Sequence, residues 1–143
     1  MVGAMRKLLF VSLLGLAAAA GCSKSVDKTE SAEAAKVPMV TVDQVDQAIA
    51  KNAAIAVDAN GNETRKKLGV IPGAVLLSDS DTFNPAELPA DKTKSLVFYC
   101  ANTHCSASHH AAGEAITAGY TNVKVMPEGI AGWVAAGKKV QSI

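Results

Sequence analysis

Ser95-Leu96-Val97-Phe98-Tyr99-Cys100-Ala101-Asn102-Thr103-His104-Cys105-Ser106 is the stretch on which the reading of this chain turns. Leu96 to Tyr99 are apolar or aromatic without a break, the pattern of a strand covered on both faces. Cys100 ends that strand, Ala101 to Cys105 form a short polar loop, and Ser106 opens a helix. That helix is predicted to run to Ala118 and to stop at Gly119 in the C′ position. A thiol held between a strand end and a helix N-terminus faces backbone N–H groups and the positive end of a helix dipole. Such a setting favours the anion, so a reactive thiolate is expected near neutral pH.

Outward from this stretch, short apolar runs alternate with helical ones. Val37 to Val40 read as a short extended segment, and Thr41 then caps a helix through Ala50 with Val42, Val45 and Ile49 on one side. Ala54 to Asp58 form a buried-strand run ending in a carboxylate. Asn60-Gly61-Asn62 is a turn, Glu63 to Leu68 a short helix, and Ile71-Pro72-Gly73-Ala74 leads into a strand at Val75 to Leu77. Phe83 to Leu88 read as a loop or brief helix, Asn122 to Met126 as a last strand, and Ile130 to Ala136 as a last helix carrying Trp133. The alternation implies an α/β fold whose mostly parallel sheet has helices on both faces.

Before Val37 the chain has a different character. Arg6 and Lys7 precede an apolar stretch, Leu8 to Ala20, that is shorter than the roughly 18 residues of a membrane span. Residues 1–21 therefore read as a signal peptide. Ala19-Ala20-Gly21-Cys22 resembles the lipobox of bacterial lipoproteins, which makes Cys22 the expected lipidation site. Residues 22–36 form a polar tether with an r.m.s. reach of about 20 Å, and residues 37–143 form one domain. The expected location is the bacterial cell envelope, lipid-anchored and facing the periplasm or the outer side. Without residues 1–21 the chain carries 12 basic and 13 acidic side chains, scattered along its length. That balance leaves no electrostatic footprint for nucleic acid. With Cys22 acylated, Cys100 and Cys105 are the two remaining thiols, in a compartment where free thiols are unusual.

The order of these pieces resembles the rhodanese-like domain over about Val40 to Lys139. Asp58 closes the second strand as the family's Asp does. Gly69-Val70-Ile71-Pro72-Gly73-Ala74 is similar to the family's Gly-His-Ile-Pro-Gly-Ala, with Val70 in place of His. Phe98-Tyr99-Cys100, a loop and Ser106-Ala107 resemble its active-site segment, and the run from Val125 to Trp133 is similar to its closing Gly-Gly-x-x-x-Trp. The resemblance implies a rhodanese-like fold with a central, mostly parallel five-stranded sheet. It implies sulfane-sulfur transfer through a persulfide on Cys100, with Ala101, Asn102, Thr103, His104, Cys105 and Ser106 forming the substrate-binding cradle. The implied partners are a small sulfur donor and a thiol or cyanide-like acceptor, and the membrane is reached through the lipid. The domain is expected to act as a monomer with no cofactor and no resident metal.

The departures shape the expectation as much as the matches do. Cys105 stands where many members end the loop with Arg, and Asp58 is followed by Ala59-Asn60 instead of Val-Arg. A thiosulfate dianion loses a cationic partner on each count, so persulfides or polysulfides are the expected donors. Related phosphatases need an Arg six positions after the Cys to grip a phosphoryl group; Ser106 is there, and no Arg follows Cys100. Cys100 and Cys105 form a candidate redox pair, and both pairing and free thiols stay open, since a disulfide needs Cα atoms within about 7 Å. His104, His109 and His110 cluster near the thiols, with solvated imidazoles the reading preferred over a soft-metal site. Asp58 is expected to be structural, accepting N–H groups of the Ile71–Ala74 turn or of the loop. Arg65, Lys66 and Lys67 are candidate substitute cations at the pocket mouth, with surface solvation preferred. The competing functions are a catalytically silent module binding a partner protein or a soft metal, and a thiol/disulfide redox protein.

Overall fold

The computed structural model describes residues 37–143; the signal peptide, Cys22 and tether expected before Val37 lie outside the described residues. Thr41 begins the first helix with a reciprocal capping box. Its Oγ1 accepts the Gln44 N–H at 3.3 Å, and Gln44 Oε1 accepts the Thr41 N–H at 2.9 Å. The elements that follow are α1 (Val42–Ala50), β1 (Ile55–Asp58), α2 (Asn62–Leu68) and β2 (Val75–Leu76), then a 3₁₀ turn at Pro85–Glu87. After them come β3 (Leu96–Tyr99), α3 (Ala107–Thr117), β4 (Val123–Val125) and α4 (Gly129–Ala135).

The sheet order is β2-β1-β3-β4, and every pairing in it is parallel. The α/β architecture is as expected, but the sheet has four strands and not five. The segment 37–40 makes only an isolated parallel bridge from Met39 to Val125. Val40 N–H donates to the Val125 carbonyl and Val125 N–H to the Pro38 carbonyl, both at 2.9 Å. Pro38 has no N–H to extend the ladder, and Thr41 already turns the chain into α1, so no full strand fits between them. Outside the sheet, Val70 and Gln141 exchange N–H···O bonds of 2.9 and 2.8 Å and tie down the C-terminal segment.

The unbroken apolar run of β3 is explained by two core layers. Leu96, Phe98 and Cys100 face the layer that holds Ala111, Ala112 and Ala115 of α3. Val97 and Tyr99 face the opposite layer, with Val42 and Val45 of α1 and with Ile130 and Trp133 of α4. Successive side chains of a strand point to opposite faces, so a strand buried on both sides must be apolar throughout. Fully burying a side chain the size of Phe98 contributes about 1.5–3 kcal/mol. The fully buried alanines of α3 let that helix lie close on the sheet. Trp133 is core, and its indole N–H donates to the Lys139 carbonyl at 2.7 Å. Among the described residues no helix is long and apolar enough to cross a membrane.

Candidate active site

β3 delivers Cys100 to the carboxyl edge of the sheet, where open α/β sheets bind their ligands. The residue is nearly inaccessible there, with Cys100 1% exposed. The chain then folds back over it. Asn102 organises the return: its Oδ1 accepts the His104 N–H and its carbonyl accepts the Cys105 N–H, both at 3.0 Å. This Asx turn brings Cys105, half-buried and packed on the same core layer as Cys100, onto the first thiol. The two cysteines are joined as a disulfide, with Cα atoms 6.3 Å apart, inside the range that such a bond spans.

Two polar atoms flank the Cys100 sulfur. The Cys105 carbonyl oxygen lies 3.3 Å from Sγ, and Ser108 Oγ lies 3.4 Å away. Ser108 is 1% exposed and sits in the first turn of α3. Its hydroxyl can donate to the sulfur, whereas the carbonyl oxygen carries partial negative charge and disfavours an anion there. The expected ring of N–H donors is thus incomplete, because the His104 and Cys105 N–H groups are spent on Asn102. The N–H groups of Asn102, Thr103 and Ser106 have no hydrogen-bond partner among the described residues. Ser106 is the N-cap residue but has helical backbone angles and caps nothing with its side chain; the helix proper begins at Ala107.

The helix that follows β4 braces the site from the other side. Ile130 N–H donates to the Cys100 carbonyl at 2.8 Å, and Ala131 N–H to the Ala101 carbonyl at 2.9 Å. Gly129, at φ 64°, makes this approach feasible, since a Cβ there would lie 2.5 Å from the Cys100 oxygen. Beside the loop is a cleft of about 340 Å³ lined by Ser80, Asp81, Ser106, Ala107, His110 and Glu114. Thr103 and His104 are exposed at the tip of the loop, and Ala101 is half-buried beneath α4. Among the described residues no three His, Cys, Asp or Glu side chains are arranged to hold a metal ion. His109 is half-buried and His110 exposed.

Asp58 ends the neighbouring strand but belongs to a separate polar cluster. Its Oδ1 lies 3.3 Å from Arg65 Nε and accepts the Asn60 N–H at 2.7 Å. Its Oδ2 accepts the Tyr99 hydroxyl at 2.7 Å, and that hydroxyl in turn accepts the Ile71 N–H at 3.1 Å. The expected bonds from the Ile71–Ala74 turn therefore reach Asp58 only through Tyr99. Arg65 is neither solvated nor at a pocket mouth. It is 6% exposed, and its Nη2 donates to the carbonyls of Asp58 at 3.0 Å and Leu77 at 2.8 Å. Lys66 and Lys67 are exposed. Burial, and after it the Asp58 carboxylate, holds the Tyr99 hydroxyl far above the usual tyrosine range, so it remains a donor. Asn60 Nδ2 is buried without a partner in the same neighbourhood.

Sequence reasoning missed Ser108 and the bracing by Gly129 and Ile130. A signal for Ser108 existed: it is the polar residue of an otherwise small, apolar helix face three positions after the loop ends.

Solved structures share this fold. A protein from Bacillus halodurans is similar at TM-score 0.65 and 22% identity, covering 78% of this chain and 82% of its own. A thiosulfate sulfurtransferase from Pseudomonas aeruginosa is similar at TM-score 0.63 and 22% identity, over 79% of this chain but only 22% of its own. A protein of unknown function from Rhodopseudomonas palustris, described as a possible tyrosine phosphatase, is similar at TM-score 0.63 and 22% identity, over 80% and 92%. At such identities the likeness establishes the fold. Comparison with curated proteins finds no match. The family model of the rhodanese-like domain matches residues 41–136, two core layers and thiol loop included, and the chain belongs to that family.

Proposed function

We propose that the chain is a sulfurtransferase that carries a sulfane sulfur as a persulfide on Cys100 and delivers it to a thiol or cyanide-like acceptor. The observation that carries this reading is the position of Cys100: a buried thiol at the carboxyl end of a central parallel strand, closed over by a short loop, in a rhodanese-like domain. The strand and α3 hold the sulfur rigidly, Ser108 supplies a hydroxyl to it, and the free N–H groups of Asn102, Thr103 and Ser106 are the donors available to a persulfide anion.

Persulfides and polysulfides suit this loop better than thiosulfate. Arg65 is the single arginine after Arg6, and its guanidinium is committed to Asp58 and two carbonyl oxygens. A thiosulfate dianion therefore meets no guanidinium beside Cys100 among the described residues, and the absent Arg also removes the bidentate grip that phosphoryl transfer needs. The protein acts, in this reading, from the bacterial envelope, anchored by a lipid on Cys22; loss of membrane association in Cys22→Ser checks that part.

The test is uptake of sulfur. The reduced chain, treated with inorganic polysulfide, should acquire one sulfur atom at Cys100 or the products of that event, and Cys100→Ser should acquire none. Absence of any reaction with polysulfide or thiosulfate would leave the domain as a binding module. The Cys100–Cys105 disulfide favours a second reading, thiol/disulfide exchange without sulfur transfer. In that case a disulfide donor, but no sulfane sulfur donor, would oxidise the pair.

A further inference from the structure

The family's persulfide has one inner sulfur, Cys100 Sγ, and one outer sulfur that leaves with the acceptor. In this chain a second thiol stands against the inner one. Cys105 Sγ is in bonding contact with Cys100 Sγ, and the Asx turn at Asn102 holds Cys105 there. Cys105 is half-buried on the same core layer, so it reaches Cys100 without crossing solvent. The Cys105 carbonyl oxygen, 3.3 Å from Cys100 Sγ, makes a long-lived anion at the site less favourable. Resting on the persulfide reading above, we infer that Cys105 resolves the Cys100 persulfide, so that the domain releases its sulfur as hydrosulfide when no outside acceptor intervenes.

The chemistry balances without any further group. Cys100 thiolate first takes a sulfur atom from a polysulfide, which departs one sulfur shorter. The Cys105 thiolate then attacks Cys100 Sγ. The Cys100 Sγ–Cys105 Sγ bond forms as the bond from Cys100 Sγ to the outer sulfur breaks, and the outer sulfur leaves with the electron pair and takes a proton as hydrosulfide. The sulfane sulfur is reduced, and the two protein thiols are oxidised to the disulfide. A dithiol reductant resets the pair by ordinary exchange. Geometry selects hydrosulfide release over a sulfur hop. Attack at the outer sulfur would transfer it to Cys105 and leave no disulfide, whereas the contact in the fold is with the inner sulfur.

The experiment is a single turnover of the full chain, reduced, desalted and kept free of oxygen, with one equivalent of inorganic polysulfide and no added thiol. Intact mass and trapped hydrosulfide are read together. Wild type should end as the disulfide, two hydrogens lighter than the reduced chain, with about one hydrosulfide per chain beyond the amount seen with Cys105→Ser. Cys105→Ser, with Cys105→Ala as the second variant, should instead hold one added sulfur. A wild type that retains the added sulfur as the variants do overturns the inference and leaves sulfur transfer standing. Folded Cys105→Ser and Cys105→Ala that take up no sulfur overturn the persulfide reading itself. The wild-type result decides the matter even where a variant folds poorly.

Discussion

β1 and β3 are neighbours in register, and Asp58 lies beside Tyr99, one residue before Cys100. Yet the two strand ends are built on opposite principles. On one face Asp58, Tyr99, Arg65 and Asn60 N–H share four polar contacts and Arg65 makes a fifth to the Leu77 carbonyl, all between 2.7 and 3.3 Å and almost wholly out of water. On the other face Cys100 has a hydroxyl, a carbonyl oxygen and one partner sulfur. A buried charge must be paired and hydrogen-bonded or the fold pays heavily for it. A reactive sulfur must keep its options open, and a site saturated with donors and acceptors would bind no donor at all. The same sheet edge thus holds a structural clamp and a chemical site back to back, separated by the alternation of one strand.

The sharpest way to break this contrast is Asp58→Ala. It strands the Arg65 guanidinium and the Tyr99 hydroxyl in the core, and should cost about 3–5 kcal/mol in denaturant unfolding. Sulfur uptake per folded molecule should change little, and a selective loss of uptake at unchanged stability would show that the clamp belongs to the reaction.

Tyr99→Phe is milder. It removes the bridge from the Ile71 N–H to Asp58 and should cost about 1–3 kcal/mol. It also has a signature in pH. The Tyr99 hydroxyl is raised in the folded state from a usual value of 10.0. Its contribution is therefore fully present below about pH 10, and is lost as pH rises above that, where the unfolded chain ionises and the folded one does not. Wild type should lose stability steeply on that alkaline limb, and Tyr99→Phe should be flatter; equal slopes would remove Tyr99 as the cause.

The smallest expected effect sharpens the other side. Ser108→Ala deletes a hydroxyl beside Cys100 Sγ. Stability should move by no more than about 1 kcal/mol, while sulfur uptake slows several-fold and the pH midpoint for Cys100 alkylation in the reduced chain rises. An unshifted midpoint would assign Ser108 to packing alone.

Much of the reactive side was legible in the sequence. The apolar run, the thiol, the polar loop and the alanine-rich helix are consecutive, and local periodicity reports the burial of such segments well. The clamp was not legible. Arg65 sits in Asn62-Glu63-Thr64-Arg65-Lys66-Lys67-Leu68, where three adjacent cations look alike and solvation is the ordinary fate of each. Only the helix phase, with Leu68 turned to the sheet and Arg65 one turn before it, puts the guanidinium under Leu77 and Asp58. Tyr99 gave no cue either, because its partner lies 41 residues away. The expected fifth strand failed for a local reason that was present in the sequence, Pro38 followed so soon by a capping Thr41.

The amino-acid sequence by itself determined the order strand, thiol, loop, helix, and with it the class of the fold and the place of the candidate nucleophile. These follow from backbone preferences and side-chain alternation that act within a few residues. The tertiary structure alone decided which charges are buried, what Tyr99 bridges, and that Cys105 rests on Cys100 Sγ while its carbonyl crowds the same sulfur. Those outcomes depend on the register of β1 against β3 and on how the loop closes between α3 and α4, which no local pattern encodes. The candidate thiol pair can be read from the chain, but the bond between Cys100 and Cys105 is seen only once the loop has closed.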